Sequence, residues 1–130
     1  MVLRMLNATV LHPPLANYAH GVVVPAGARL VFCSGQLGIG ADGVVPDDAE
    51  AQADLCFQAI GAILCEAGMS FADLIRLNGY VTSREYLAVY MKTRDRYVKS
   101  PPPASTLMIV SGFAQPAYKV EVEAVAGRQD

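Results

Sequence analysis

Alternation of polar and apolar residues is clearest near the end of the chain, where residues 119–126 read Lys-Val-Glu-Val-Glu-Ala-Val-Ala. This period of two predicts a β-strand with Lys119, Glu121 and Glu123 on one face and valine and alanine on the other. A shorter apolar run at 105–110 follows three prolines and predicts a strand that pairs with the first as a hairpin. Two carboxylates would therefore lie side by side on one face of a sheet.

Further β-rich runs occupy the first part of the chain. We predict an edge strand up to Asn7, and we predict that residues 21–24 and 29–34 pair as a hairpin across the turn at 25–28. Residues 73–82 predict one more strand, between two helices. Six strands are therefore expected, with a hairpin near each end of the chain.

The first helix has clear start and stop signals. Asp47 and Glu50 have the spacing of a capping box, and the helix is predicted to end at Ala67, with Gly68 in the left-handed conformation after it. Apolar residues at spacings of three and four predict one core-facing side of this helix. That side comprises Cys56, Ile60, Ile63 and Ala67, widened by Leu55, Ala59 and Leu64.

A second helix is predicted to begin at the capping residue Ser83 and to end at Tyr97 or Val98, before the prolines. Its predicted buried residues are Leu87, Tyr90, Met91 and Val98. The element order β-β-β-α-β-α-β-β predicts an α+β fold in which one mixed β-sheet is covered on one face by two helices. A chain of 130 residues suits a single domain, 1–130.

Composition and charge narrow the class of partner. The chain is 53% hydrophobic, yet no apolar run approaches the roughly 18 residues of a membrane span, so we expect no membrane insertion. The surplus apolar surface is therefore expected at a subunit interface. A net charge of −2 without a basic cluster gives no footprint for nucleic acid. The start of the chain lacks the apolar segment of a signal peptide, so the expected compartment is the cytoplasm.

Cysteine, histidine and glycine patterns predict neither a metal site nor a cofactor site. The three cysteines form no Cys-x-x-Cys pair, and Cys56 and Cys65 are expected to act as small hydrophobes within the first helix. His12 and His20 are eight residues apart, a spacing that suggests turn residues and not a metal pair. Residues 38–43 match G-x-G-x-x-G, but no helix opens directly from them, so we predict a simple turn.

Four groups of residues resemble the RidA (YjgF) family of reactive-intermediate deaminases. They are Tyr18-Ala-His-Gly21, Phe32-Cys-Ser-Gly-Gln36, Ala67-Gly68, and Pro-Pro-Ala-Ser-Thr with the later Val-Glu-Val-Glu-Ala-Val-Ala. The resemblance implies the chorismate-mutase-like fold, a homotrimer whose sheets face a central barrel, and ligand clefts between neighbouring subunits. It also implies hydrolysis of a small-molecule imine or enamine to a carbonyl compound and ammonia, without a cofactor. The charge pattern argues against the endoribonuclease label that some relatives carry.

Glu121 and Glu123 are the first candidates for chemistry. Two carboxyl groups on one strand face can raise the pKa of one of them when water is excluded, and such a group can transfer a proton near neutral pH. A solvated sheet edge would give the same alternation. The resemblance implies that Glu121 is the catalytic residue that positions water, and that Tyr18, Ser34 and Gly35 line the cleft. Glu123 has no such counterpart and is expected at a solvated edge or in an ion pair across a subunit interface.

One position departs from the family pattern. Deaminating members carry an arginine just after Pro-Ala to hold the substrate carboxylate, and this chain has Ser105 there. A neutral hydrogen bond would then replace a bidentate ionic contact, which weakens imino-acid binding roughly ten- to a hundredfold. Arg94, Arg96 and Lys119, the last predicted on the Glu121 face, remain open as replacement cations.

Tyr90 and Leu107 complete the predicted substrate-binding set with Ser105. They would make the cleft more aromatic and apolar than a site for a small imino acid, so an extended enamine such as an aminomuconate is the expected substrate class. The same departure keeps an alternative open, in which the trimer binds or senses a metabolite without catalysis. A trimer whose cleft is incidental is the third hypothesis.

Overall fold

The computed structural model describes residues 3–130. In chain order its strands and helices are β1 Arg4–Leu6, β2 Gly21–Val23, β3 Arg29–Leu37, α1 Ala49–Glu66, β4 Leu74–Val81, α2 Leu87–Tyr97, β5 Ala104–Ile109 and β6 Val120–Arg128. Both helices lie on one face of a mixed sheet, so the predicted α+β architecture and the element order are confirmed. Among the described residues, no helix is long and apolar enough to cross a membrane.

The main sheet has the strand order β3-β6-β4-β5, and β1 and β2 form a separate two-stranded ribbon. Strand β6 is antiparallel to both of its neighbours, whereas β4 and β5 are parallel. The predicted hairpin between β5 and β6 is therefore wrong. Because α2 carries the chain back along the sheet before β5 begins, β5 joins the edge of β4 in parallel, and β6 inserts between β3 and β4.

The predicted hairpin between β2 and β3 is also wrong. Strand β2 has three residues and pairs with β1, with Met5 opposite Val22. Strand β3 has nine residues and pairs along most of its length with the nine-residue β6. A ladder of that length satisfies many more backbone groups than a three-residue partner can.

Helix α1 packs Cys56, Ile60 and Leu64 of its predicted face against the sheet, where they are fully buried. The predicted widening of this face to Leu55 and Ala59 is wrong, because both residues are only partly buried. Phe57 belongs to the same buried face and stacks on Tyr97 of α2 with ring centroids 5.2 Å apart. The prediction that Cys65 acts as a small hydrophobe is wrong, because this residue lies on the outer side of the helix and is exposed.

The cap of α1 lies one residue later than predicted. Asp48, not Asp47, accepts a hydrogen bond from Ala51 N–H at 3.0 Å. The carbonyl of Asp47 instead accepts a hydrogen bond from the Lys119 ammonium. Gly68 has a φ of +72°, so the predicted left-handed residue after the helix is confirmed.

Helix α2 is preceded by a short 3₁₀ turn, Arg84–Tyr86, and Ser83 caps that turn through Glu85 N–H. Tyr90 points from α2 into the core, where it is 0% exposed and lies 5.8 Å from the ring of Phe57. It fits because position 79 is glycine: a Cβ there would lie 2.6 Å from Tyr90 Cε1. The Tyr90 hydroxyl is buried and has no hydrogen-bond partner within residues 3–130.

Candidate active site

Glu121 lies on the sheet face opposite the helices, because Val120 and Val122 on either side of it are fully buried beneath them. The predicted alternation is therefore confirmed for residues 120–126. Glu121 is paired with Leu37 of β3 and with Tyr80 of β4. Glu121 is half-buried within this face.

The carboxyl group of Glu121 rests over Gly35. Strand β3 has a bulge here, because Cys33 pairs with Ala124 and Gln36 pairs with Val122, so that two residues of β3 oppose one residue of β6. A Cβ at position 35 would lie 2.8 Å from Glu121 Cδ and would overlap its Oε1. Glycine at this position therefore makes room for the carboxylate.

Burial raises the pKa of the Glu121 carboxyl above its ordinary value, and the negative charge of Glu123 raises it further. The pKa of Glu123 moves the other way. It is lowered by hydrogen bonds from the Tyr80 hydroxyl and the Asn78 amide, with a further contribution from the charge of Arg76. Two carboxyl groups on one strand face thus have pKa values moved apart, which is typical of a site that separates a proton carrier from a fixed charge.

The partners of Glu123 were missed by the sequence reasoning. Asn78 Nδ2 donates to Glu123 at 3.2 Å, and the Tyr80 hydroxyl donates to the same oxygen. Arg76 extends this polar row by donating to Thr106 Oγ1 at 2.7 Å. Period-two alternation on β4 could have placed Asn78 and Tyr80 on one face, but only the register with β6 shows that this face carries Glu123. The alternative of an intersubunit ion pair is not needed to satisfy this carboxylate.

A second group of predicted residues lies at the β5 edge of the sheet. The segment that contains Tyr18 is held there, because Ala19 N–H donates to the Pro103 carbonyl at 2.9 Å and Ala19 bridges Ala104 in parallel. The Tyr18 hydroxyl accepts from Leu15 N–H at 3.1 Å. We call Tyr18, Ser105 and Leu107 the β5-edge half-site, and Glu121, Ser34 and Gly35 the Glu121 half-site.

The two half-sites are separate within one chain. Ser105 pairs with the fully buried Leu77 and so lies on the helix side of the sheet, whereas Glu121 lies on the opposite side. Strand β4 separates them laterally, and Ser105 is three residues along β5 from the row that contains Tyr80 and Glu121. With strand spacing near 4.8 Å and a rise near 3.3 Å, their Cα atoms are on the order of 14 Å apart. One chain therefore cannot present both residues to one small ligand.

The remaining predicted contacts are corrected by their positions. Tyr90 is a core residue on the helix side, fully buried under Gly79, so the prediction that it lines the substrate cleft is wrong. Lys119 does not share the Glu121 face: it precedes β6 and turns toward α1 and the Tyr86 ring, 5.8 Å away. Arg96 is half-exposed and pairs with Asp54 at 3.3 Å.

Gly35→Ala is expected to disable the Glu121 half-site without unfolding the chain. The added methyl group would displace the Glu121 carboxyl, and misplacing a reacting group by about 1 Å lowers rates by roughly a hundredfold. Gly112→Ala is the matched control, because a Cβ at position 112 meets nothing within 4 Å. Steady-state turnover together with the melting temperature of both variants tests this prediction. Equal turnover in the two variants would contradict it.

Comparison with known proteins gives a consistent family. Residues 9–127 match the family model described as Endoribonuclease L-PSP. DfrA of Myxococcus xanthus is 30% identical over 128 residues, which cover 97% of this chain and 96% of that protein. TdcF of Escherichia coli, provisionally named a reactive intermediate deaminase, is 30% identical over 119 residues, 88% of each chain. The crystal structure of YyfB from Yersinia pestis, a Rid family protein of unknown function, matches with a TM-score of 0.85 at 28% identity, covering 97% of this chain and 98% of that one.

Proposed function

The chain belongs to the RidA (YjgF) family, and from this membership we propose that it is a deaminase that hydrolyses a reactive imine or enamine to a carbonyl compound and ammonia. The observation that carries the proposal is the Glu121 carboxyl group. Its pKa is raised by burial, and it lies over a glycine that leaves room for it. A carboxyl group with a raised pKa can accept a proton and return it near neutral pH.

The proposed reaction uses a water molecule and no organic cofactor. The Glu121 carboxylate accepts a proton as the water oxygen bonds to the carbon of the protonated imine, and the electrons of the C=N π bond move to nitrogen. The Glu121 carboxylic acid then protonates the amino nitrogen of the resulting carbinolamine. As C=O forms and the C–N bond breaks, ammonia leaves and the proton of the hydroxyl passes to the Glu121 carboxylate. An enamine enters the same sequence after tautomerising to the protonated imine.

We further propose that the complete cleft forms between copies of the chain in a homotrimer. The separation of the two half-sites supports this, since the β5-edge half-site of one copy can meet the Glu121 half-site of another. Exposed apolar side chains on the main sheet also support it: Phe32 is 73% exposed, and Met108 is 45% exposed. Such residues are typical of a face that becomes buried in an assembly.

The substrate class follows from the β5-edge half-site. Ser105 offers a neutral hydrogen bond where a guanidinium would bind a carboxylate in two places, and Leu107 beside it is apolar. We propose an extended enamine such as an aminomuconate over a two- or three-carbon imino acid, because its longer conjugated carbon chain can contact Leu107. Ser105 also favours the second candidate function, a trimer that binds a metabolite without turning it over.

Ammonia release tests the proposal. Purified protein is mixed with freshly generated imines and enamines, small imino acids beside an aminomuconate, and ammonia is followed above the uncatalysed rate. Release that increases in proportion to the protein concentration supports the deaminase. Tight binding of a panel member without release would instead establish the second candidate function.

Glu123→Gln is expected to move the pH profile of this reaction. The hydrogen bonds from Tyr80 and Asn78 keep Glu123 charged, and its charge contributes to the raised pKa of Glu121. Removing that charge lowers the pKa of Glu121, so the acidic limb of kcat against pH moves to lower pH. Burial, the larger cause, still holds the pKa of Glu121 above its ordinary value. A limb at the same pH as in the wild type would contradict this coupling.

A further inference from the structure

Arg94 is an arginine enclosed in the core, where its residue is 3% exposed. Its guanidinium donates to Asp95 Oδ1 through Nε and through Nη2, both at 3.1 Å. A buried charge is unfavourable unless it is paired, so the Asp95 carboxylate offsets the cost of enclosing this guanidinium. Because Arg94 is enclosed and already paired, it does not replace the arginine whose position Ser105 occupies.

The side chain of Asp95 is held in one direction although it lies at the surface. It is 50% exposed, and keeping such a side chain in a single rotamer is entropically unfavourable. Arg94 offsets this, since two of its N–H groups converge on one carboxylate oxygen and its own side chain is packed in the core. The same oxygen accepts from Asn17 Nδ2 at 3.2 Å. Arg94 therefore orients Asp95 toward Asn17.

Asn17 belongs to the loop between β1 and β2, most of which is exposed. Among the described residues, hydrogen bonds join this loop to α2 and to the β5 edge at two places. One is the contact of Asn17 with Asp95, and the other is the bond from Ala19 N–H to the Pro103 carbonyl at 2.9 Å. Tyr18 lies between these two attachments, so its position beside β5 depends on both of them.

The hydroxyl group of Tyr18 depends on the path of the same loop. It accepts from Leu15 N–H at 3.1 Å, so the backbone at Leu15 sets where the oxygen lies. A phenol hydroxyl can accept and donate at once, so its proton can still be donated to a ligand. Without the contact of Asn17, the attachment at Ala19 alone remains, and a shift of the loop would carry the hydroxyl with it.

We propose that Asp95 is a positioning residue for Tyr18, and that Arg94 holds Asp95 in place for this role. Neither residue touches the ligand. Asp95 fixes Asn17, and Asn17 fixes the turn that carries the Tyr18 hydroxyl into the β5-edge half-site. The proposal rests on the proposed function only for the ligand that Tyr18 meets, because the attachment of the loop is a property of the folded chain.

Amide hydrogen exchange of residues 15–20, measured by mass spectrometry, tests the attachment without any substrate. Exchange follows local opening of the chain, so loss of the attachment is expected to speed it in these residues while α1 keeps its wild-type rate. We expect Asn17→Ala and Asp95→Ala each to speed exchange roughly tenfold, the effect of one charge-assisted hydrogen bond. Asp95→Asn keeps an acceptor oxygen and is expected to restore most of the protection. Arg96→Gln is the matched control, because Arg96 follows Asp95 on α2 but pairs with Asp54 at the surface.

Two further variants separate the attachment from general stability. Arg94→Met replaces the buried guanidinium with an apolar side chain, and removing buried charge in this way is often neutral or stabilising for the fold. We expect its melting temperature to stay at or above the wild-type value while exchange in residues 15–20 becomes faster. The double variant of Asn17→Ala with Asp95→Ala is expected to exchange as fast as either single variant, because both changes remove the same hydrogen bond.

Steady-state kinetics adds a functional readout. Tyr18 contacts the ligand and Glu121 carries the proton, so Asn17→Ala is expected to raise KM roughly tenfold and to leave kcat within about threefold of the wild type. Exchange in residues 15–20 that is unchanged in Asn17→Ala, or that rises equally in α1, overturns the proposal. Faster local exchange without ammonia release from the wild type supports the positioning of Tyr18 and contradicts the deaminase. Ammonia release with unchanged exchange and unchanged KM in Asn17→Ala gives the opposite result.

Discussion

Glu121→Gln is expected to lower kcat/KM for the preferred imine or enamine by roughly a hundred- to ten-thousandfold. The amide has nearly the shape of the carboxylate and fits the same space over Gly35, but it can neither accept a proton from water nor return one to the leaving nitrogen. The measurement is steady-state ammonia release with protein concentrations matched. Glu66→Gln is the control, because it makes the same chemical change at an exposed position at the end of α1.

Stability distinguishes this loss from unfolding. The folded-state pKa of Glu121 is raised, so the carboxylate is less favourable in the folded chain than in the unfolded chain at pH values above that pKa. Replacing it by a neutral amide also removes its repulsion with Glu123. Glu121→Gln is therefore expected to unfold at the same temperature as the wild type, or slightly higher, at neutral pH. Turnover within threefold of the wild type would contradict the proposed role of Glu121.

The opposite pH dependence applies to Glu123. The pKa of Glu123 is lower in the folded chain than in the unfolded chain, so its charged form stabilises the fold at pH values above the unfolded-state pKa. This stabilisation is lost as the pH falls through the folded-state pKa. Two neighbouring glutamates on one strand thus act in opposite directions, because one is desolvated and the other accepts hydrogen bonds. Sequence spacing alone gives both residues the same environment, so the difference had to come from the partners that β4 supplies.

Local patterns were enough to predict the elements but not their pairing. Alternation placed Val120 and Val122 in the core and Glu121 on the open face, because side-chain direction in a strand depends only on residue parity. Both predicted hairpins are wrong, because long-range contacts determine which strands pair in the sheet. No short stretch of sequence predicts that β4 and β5 pair in parallel or that β6 lies between β3 and β4.

The candidate site was predictable only in part, because its residues are brought together by the same long-range pairing of strands. Resemblance located Glu121, Gly35 and Ser105 along the chain, and the bulge in β3 then explains the glycine. The family resemblance could not show that Ser105 and Glu121 lie on opposite faces of one sheet, because the faces follow from the register of the strands. Tyr90 was assigned to the cleft by its residue type, although the missing side chain at Gly79 draws its ring into the core.

Gly79→Ala is expected to be the most destabilising single-methyl change on the helix side of the sheet. The new Cβ would overlap the Tyr90 ring, at 2.6 Å from Cε1, and Gly79 is flanked by Leu107 and Val122 on neighbouring strands. Neither backbone nor ring can move freely, so we expect a loss of about 3 kcal/mol in the free energy of unfolding. For a chain of this size that corresponds to a fall of roughly 10 °C in melting temperature, measured at fixed protein concentration.

A double-mutant cycle with Tyr90→Leu shows whether the ring is the cause. Leucine removes the atoms that the new methyl group meets, so the double variant is expected to be more stable than the sum of the two single losses predicts, by about 1 kcal/mol or more. Gly112→Ala, where a Cβ meets nothing within 4 Å, is the control for the change of glycine to alanine itself. Additive losses in the cycle would mean that the Gly79 backbone, and not the Tyr90 ring, requires glycine. Positive coupling would instead show that this one missing side chain lets a tyrosine lie between α2 and the sheet.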